Sequence, residues 1–162
     1  MYRFILTITA LFITLSLAVS DVAEATTEQP IIVPDVAQLE LSKQMKNPKV
    51  PSLKYWDKVA WCETHRNWKD GGNWAGGLGI ARSTWIGYGG RDFASVPNKA
   101  TRIEQIVIAN RIAVFGHQTK NVYKTLDDKL NNKPFFRPRA GFNGWGCIKN
   151  YIGKPKPRKV NK

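Results

Sequence analysis

The most constraining stretch of this sequence is residues 101–115. Thr101 and Glu104 stand at capping-box spacing, Ile103, Ile106, Val107 and Val114 with their neighbours make a wide apolar face, and Gly116 ends the run. That pattern predicts a core helix and makes Glu104 a cap and not a catalyst. A second helix is expected over 53–65, with Ser52 as its N-cap. On it Trp56, Val59, Ala60 and Glu63 follow the i, i+3, i+4, i+7 spacing of one buried stripe. Between the two helices, Asp70-Gly71-Gly72 and the cluster of Gly76, Gly77 and Gly79 mark tight turns around short extended pieces. A short helix opens at Ser83-Thr84-Trp85 and stops at Gly87, Gly89 and Gly90. The expected fold is therefore α+β, mainly α, with a short β-hairpin region.

Around that domain the sequence predicts appendages. Residues 1–25 hold Arg3, an apolar run and small-residue sites, the layout of a secretory signal, with an uncleaved membrane anchor as the alternative. Residues 26–51 carry Pro30, Pro34, Pro48 and Pro51 and read as an extended linker or pro-segment. The domain is placed at 52–152, with an insertion at about 117–140 in which Val122, Leu126 and Leu130 suit a short helix. The last ten residues, 153–162, have five basic side chains and no acid, and read as a flexible cationic arm.

A net charge of +13 concentrates a protein on polyanions. For an exported chain the cell wall is a better fit than nucleic acid, since no helix-turn-helix, zinc or RNA-platform signature accompanies the charge. Cys62 and Cys147, widely separated in an exported segment, read as one long-range disulfide. The glycine spacing matches neither a dinucleotide fingerprint nor a phosphate loop, and Cys and His are too dispersed for a zinc site, so no cofactor and no metal are expected. A rival reading makes Cys62 a nucleophile activated by His117 or His65, which demands a free thiol.

Glu63 is the residue with two meanings. On the apolar stripe it suits an acid that keeps its proton near neutral pH to protonate a poor leaving group; near the helix end it also suits a surface charge paired with Arg66. Ordinary glycosidases need a second carboxylate. Asp57 lies about 240° around the helix from Glu63, and Asp70 and Asp92 sit in glycine-rich stretches. Trp74, Trp85, Tyr88 and Trp145 are candidates to stack on sugar faces, with Asn73 beside them, and Arg82 and Arg91 are candidates to meet carboxylates. The plainer role for at least half of those rings is core.

In order and spacing, WDKVAWCETHRNW, GGLGIARSTW, YGG, ATRIEQIVIANRI and GWGC resemble the transglycosylase-like domain of resuscitation-promoting factors, secreted bacterial wall enzymes with a small lysozyme-like fold. The likeness covers residues 55–115 and resumes at 144–147. It implies that Glu63 is the catalytic acid, that Cys62 pairs with Cys147, and that Thr84 lines the sugar groove. It also implies action on the β-1,4 bond between N-acetylmuramic acid and N-acetylglucosamine of peptidoglycan. One glutamate suffices for a lytic transglycosylase; the alternatives are a hydrolytic muramidase with a second carboxylate, or a non-enzymatic cationic wall-binding protein. The expected partners are peptidoglycan glycan strands, with anionic wall polymers on the basic surface and tail, for a secreted or wall-associated monomer. Two departures stand out: Thr64-His65-Arg66 replaces small residues after the acid, and Gly79 replaces a common glutamine.

Overall fold

The computed structural model describes residues 35–159, so the expected signal segment and the first part of the expected linker lie outside the described residues. The elements run α1 (Val36–Gln44), α2 (Leu53–Thr64), β1 (Trp74–Ala75), β2 (Ile80–Ala81), α3 (Arg82–Gly87), α4 (Arg102–Asn110), β3 (His117–Gln118), α5 (Leu126–Leu130) and β4 (Phe136–Arg137). Two antiparallel pairs form, with Trp74 opposite Ala81 and His117 opposite Arg137. This is a small, mainly helical α+β domain of lysozyme-like type.

Helix α4 forms where the capping box places it. Thr101 Oγ1 accepts from the Glu104 N–H at 3.3 Å, and Glu104 Oε2 accepts from the Thr101 N–H at 2.6 Å. A wider π-type turn, Arg111–Phe115, carries the helix on until Gly116, whose φ of 79° ends it. Residues 105–110 are all buried, so α4 is enclosed on every side. Trp56 from α2, Trp85 from α3, Leu78 from the first hairpin and Ile148 join it in one core. The sequence spacing identified one face of α4; the enclosure follows from α1 packing on it.

Helix α1 corrects the reading of 26–51 as an extended linker, at least from residue 35 onward. Asp35 caps it, and Ala37, Leu41 and Gln44 are buried. Its polar core residues are all partnered. Trp56 Nε1 donates to Asn110 Oδ1 and Asn110 Nδ2 to Gln44 Oε1, both at 2.8 Å, while Gln44 Nε2 donates to Glu40 Oε1 at 2.9 Å. Leaving any of these groups unpaired in the core would cost about 1–3 kcal/mol, so the chain binds α1, α2 and α4 into one unit.

The tail also departs from expectation through residue 159. Arg158 Nε donates to the Val50 carbonyl at 2.7 Å and its Nη2 to those of Met45 and Asn47 at 2.6 and 3.2 Å. Arg158 thus ties the chain end to the α1–α2 connection, and the positive charge read as a free arm is spent partly on backbone acceptors. In the insertion, the short helix falls at Leu126–Leu130, but Leu126 and Leu130 are exposed, so their spacing does not mark a core face.

Candidate active site

Three side chains from separate elements hold the loop between β1 and β2. Thr64 Oγ1 donates to the Gly77 carbonyl at 2.9 Å. The Gly77 N–H donates to Gln105 Oε1 at 2.9 Å. Trp145 Nε1 donates to the Leu78 carbonyl at 2.9 Å. Gln105 is fully buried and also donates through Nε2 to the Trp68 and Ala100 carbonyls, so one amide side chain orders three loops. Sequence reasoning passed over it; its one signal is a polar residue inside the apolar run of α4.

The loop so fixed forms one wall of a groove of about 200 Å³, lined by Trp74, Gly79, Ile80, Thr84, Ile112 and Trp145 among others. Trp74 is 65% exposed and offers a ring face to a ligand. Trp145 is buried yet contributes to the lining, with its indole N–H already engaged. Trp85 does not belong to the site. It is fully buried, with Nε1 donating to the Ala94 carbonyl at 2.8 Å, and has no free face on which a sugar could stack. Tyr88 is likewise a core ring, its hydroxyl donating to the Pro138 carbonyl. Asn73 is exposed beside Trp74 but is not among the groove-lining residues. Arg82 and Arg91 are exposed.

Glu63 sits in the last turn of α2, half-buried at the edge of the stripe whose other members, Trp56, Val59 and Ala60, are fully buried. Its Oε1 accepts the Cys147 N–H at 3.0 Å. The disulfide between Cys62 and Cys147 brings that N–H to the helix, with the two Cα atoms 5.9 Å apart. The bridge also removes the free thiol that a nucleophilic Cys62 needs, and among the described residues there is no free cysteine. Arg66 does not pair with Glu63; its guanidinium lies over Trp61, 5.5 Å from the ring centroid.

On its other side Glu63 approaches the groove through Gly79. A methyl group added at Gly79 would stand 3.8 Å from Glu63 Oε2 and 4.0 Å from the Cβ of Trp74. Acid, glycine and exposed tryptophan therefore converge, and a long side chain in place of Gly79 would crowd the carboxyl. Gly79 also has φ +55°, a left-handed conformation that glycine takes without strain. The α2 terminus makes no such provision: His65 and Arg66 both adopt positive φ, 52° and 63°. These are the positions where the resemblance leads one to expect small residues.

The three carboxylates that the sequence offers as a second acid, Asp57, Asp70 and Asp92, have partners of their own. Asp57 takes a two-oxygen grip from Arg102, with Nη2 2.8 Å from each oxygen. Asp92 pairs with Lys120 at 2.9 Å. Asp70 accepts from Asn67 Nδ2 at 3.3 Å while its carbonyl accepts the Gly76 N–H, which closes the loop before β1.

A family model for the transglycosylase-like domain matches residues 50–119. Over 58 residues the chain is 45% identical to resuscitation-promoting factor Rpf1 of Corynebacterium glutamicum, a match covering 35% of this chain and 30% of that protein. Residues 50–119 thus resemble the transglycosylase-like domain that these resuscitation-promoting factors share. Two Mycobacterium tuberculosis proteins agree: resuscitation-promoting factor RpfA, 41% identical over 59 residues, and RpfC, also 41% over 59. These matches cover 35% of this chain, and 14% and 40% of the two relatives, so the likeness concerns the domain and not the whole proteins. Glu63, Trp74, Gly79 and Thr84 lie inside the matched residues, whereas Trp145 and the Cys147 N–H come from beyond them.

Proposed function

We propose that this domain cleaves the β-1,4 bond between N-acetylmuramic acid and N-acetylglucosamine in peptidoglycan as a lytic transglycosylase, with Glu63 as acid and then base. The observation that carries the reading is the setting of Glu63. One oxygen is anchored on the Cys147 N–H, the other adjoins Gly79 at the groove, and Asp57 and Asp92 are held in ion pairs away from it.

With a glycan in the groove, protonated Glu63 delivers its proton to the glycosidic oxygen, and the bond from that oxygen to the muramic C1 breaks. The positive charge developing at C1 is met by the Glu63 carboxylate just formed. That carboxylate then takes the proton of the muramic 6-hydroxyl as its oxygen bonds to C1, closing a 1,6-anhydro ring. No water is consumed, and the proton that left Glu63 is restored to it. A hydrolytic route needs a second carboxylate to activate water. Trp74 and Trp145 act as apolar surfaces for sugar rings, because rigid rings lose little entropy on binding. Thr84 offers a hydroxyl toward the same groove.

The same reading places the protein outside the cytoplasm, exported by residues 1–25, with its surplus positive charge holding it to the anionic wall. Mass spectrometry of muropeptides released from purified peptidoglycan tests the reaction. Anhydro ends, one water lighter than reducing ends, are expected; reducing ends alone would replace this mechanism with hydrolysis.

A further inference from the structure

Beside the groove lies a second cleft of about 310 Å³, built by the insertion against the end of α3 and lined by Gly87, Arg91, Asp92, Lys120, Phe135 and Arg137 among others. Most of the insertion falls beyond the family match, which ends at residue 119. Asp92 supplies the negative charge in this lining and is already paired with Lys120 at 2.9 Å. His117, also in the wall, is pushed below its ordinary pKa by burial and then by Arg111, so it is neutral at pH 7. The charges left over are those of Arg91 and Arg137.

Arg137 is seated rather than loose. Its guanidinium lies over the Tyr88 ring at 5.6 Å from the centroid and passes directly across Gly87, where an added methyl would stand 2.7 Å from Cζ. The residue below it must lack a Cβ for the arginine to lie there. Yet no hydrogen bond or ion pair from its guanidinium reaches any described residue. An exposed arginine laid over a ring and a glycine, with no acceptor among the described residues for its N–H donors, presents that fork to a planar anion.

Its position relates it to the groove. Gly87 is one turn along α3 from Thr84, about 5 Å, and the strand that ends in Arg137 runs on to Ala140, which lines the groove. We infer that Arg137, resting on Gly87 and Tyr88 at the edge of the groove, receives a carboxylate branching from the glycan that occupies it. The ligand class is a glycan with acidic side branches, such as a lactyl-linked peptide stem, and the assignment rests on the proposed function of the groove.

Binding is measured in Glu63→Gln protein, which does not turn over, by calorimetry with three probes. These are neutral tetra-N-acetylchitotetraose, peptidoglycan strands with free stem carboxylates, and the same strands amidated. The free-acid strand is expected to bind about tenfold more tightly than the amidated one, as befits one charge-assisted hydrogen-bonded pair. Arg137→Ala should erase that ratio, Arg137→Lys should keep part of it, and neither should alter the affinity for chitotetraose. A ratio undiminished in Arg137→Ala while chitotetraose binds normally overturns this inference alone. Failure of every probe to bind the folded protein overturns the reading of the groove itself.

Discussion

Removing the disulfide, by Cys62→Ala with Cys147→Ala, is expected to lower stability by up to about 4.6 kcal/mol at 25 °C. The bridge joins residues 85 apart in sequence, and the loop-closure entropy for that length gives the figure. Against a typical total of about 5–15 kcal/mol, such a loss leaves the domain marginal and lowers Tm by roughly 15 °C. Urea unfolding of the oxidised protein and of the double variant, followed by tryptophan fluorescence, measures the difference. The slope with denaturant should rise in the double variant, because its unfolded chain, freed of the cross-link, exposes more surface. A difference below about 1 kcal/mol would refute the reasoning. It would mean that Ile148 packing and the Trp145 bond to Leu78 hold this end unaided.

Three other expectations follow from particular contacts. Arg158→Ala removes three hydrogen bonds from a charged group to backbone carbonyls; thermal unfolding should show a loss of about 2 kcal/mol, roughly 6–7 °C in Tm. Trp74→Ala should weaken chitotetraose binding roughly tenfold with unchanged Tm, because the ring is exposed and stacks on nothing in the core. Burial pushes the Tyr55 phenol up to about 12 from the ordinary 10.0. The fold therefore favours the neutral phenol, which donates to the Gly153 carbonyl. That contribution is complete below pH 10.0, the ordinary value, and is lost as pH rises to about 12. The stability difference between wild type and Tyr55→Phe should shrink or reverse over that window.

The helices that frame the site were legible where spacing and caps agreed. Ser52 and the Trp56, Val59, Ala60, Glu63 stripe define α2, and Thr101 with Glu104 starts α4. Helix α1 was obscured by the prolines around it and by a buried face that includes Gln44, which counts as polar until its partner Asn110 is known. Trp74 and Trp85 stand in equally plausible local sequence, yet one is exposed at the groove and the other enclosed. Nothing in local sequence separates them, because a ring's exposure is decided by distant elements. The two features that orient Glu63 and the chain end act through main-chain atoms. The Cys147 N–H and the carbonyls bound by Arg158 have no residue-type signature at all.

The most direct test of the account compares wild type with Glu63→Gln on purified peptidoglycan, with thermal unfolding run in parallel to show that both are folded. General acid–base catalysis is worth about 10²–10⁴ in rate. Release of anhydro-muropeptides should therefore fall by at least a hundredfold in Glu63→Gln, at unchanged Tm and unchanged chitotetraose affinity. Equal release by the two proteins would contradict the account, assigning the effect on the wall to the protein's positive charge and not to its acid.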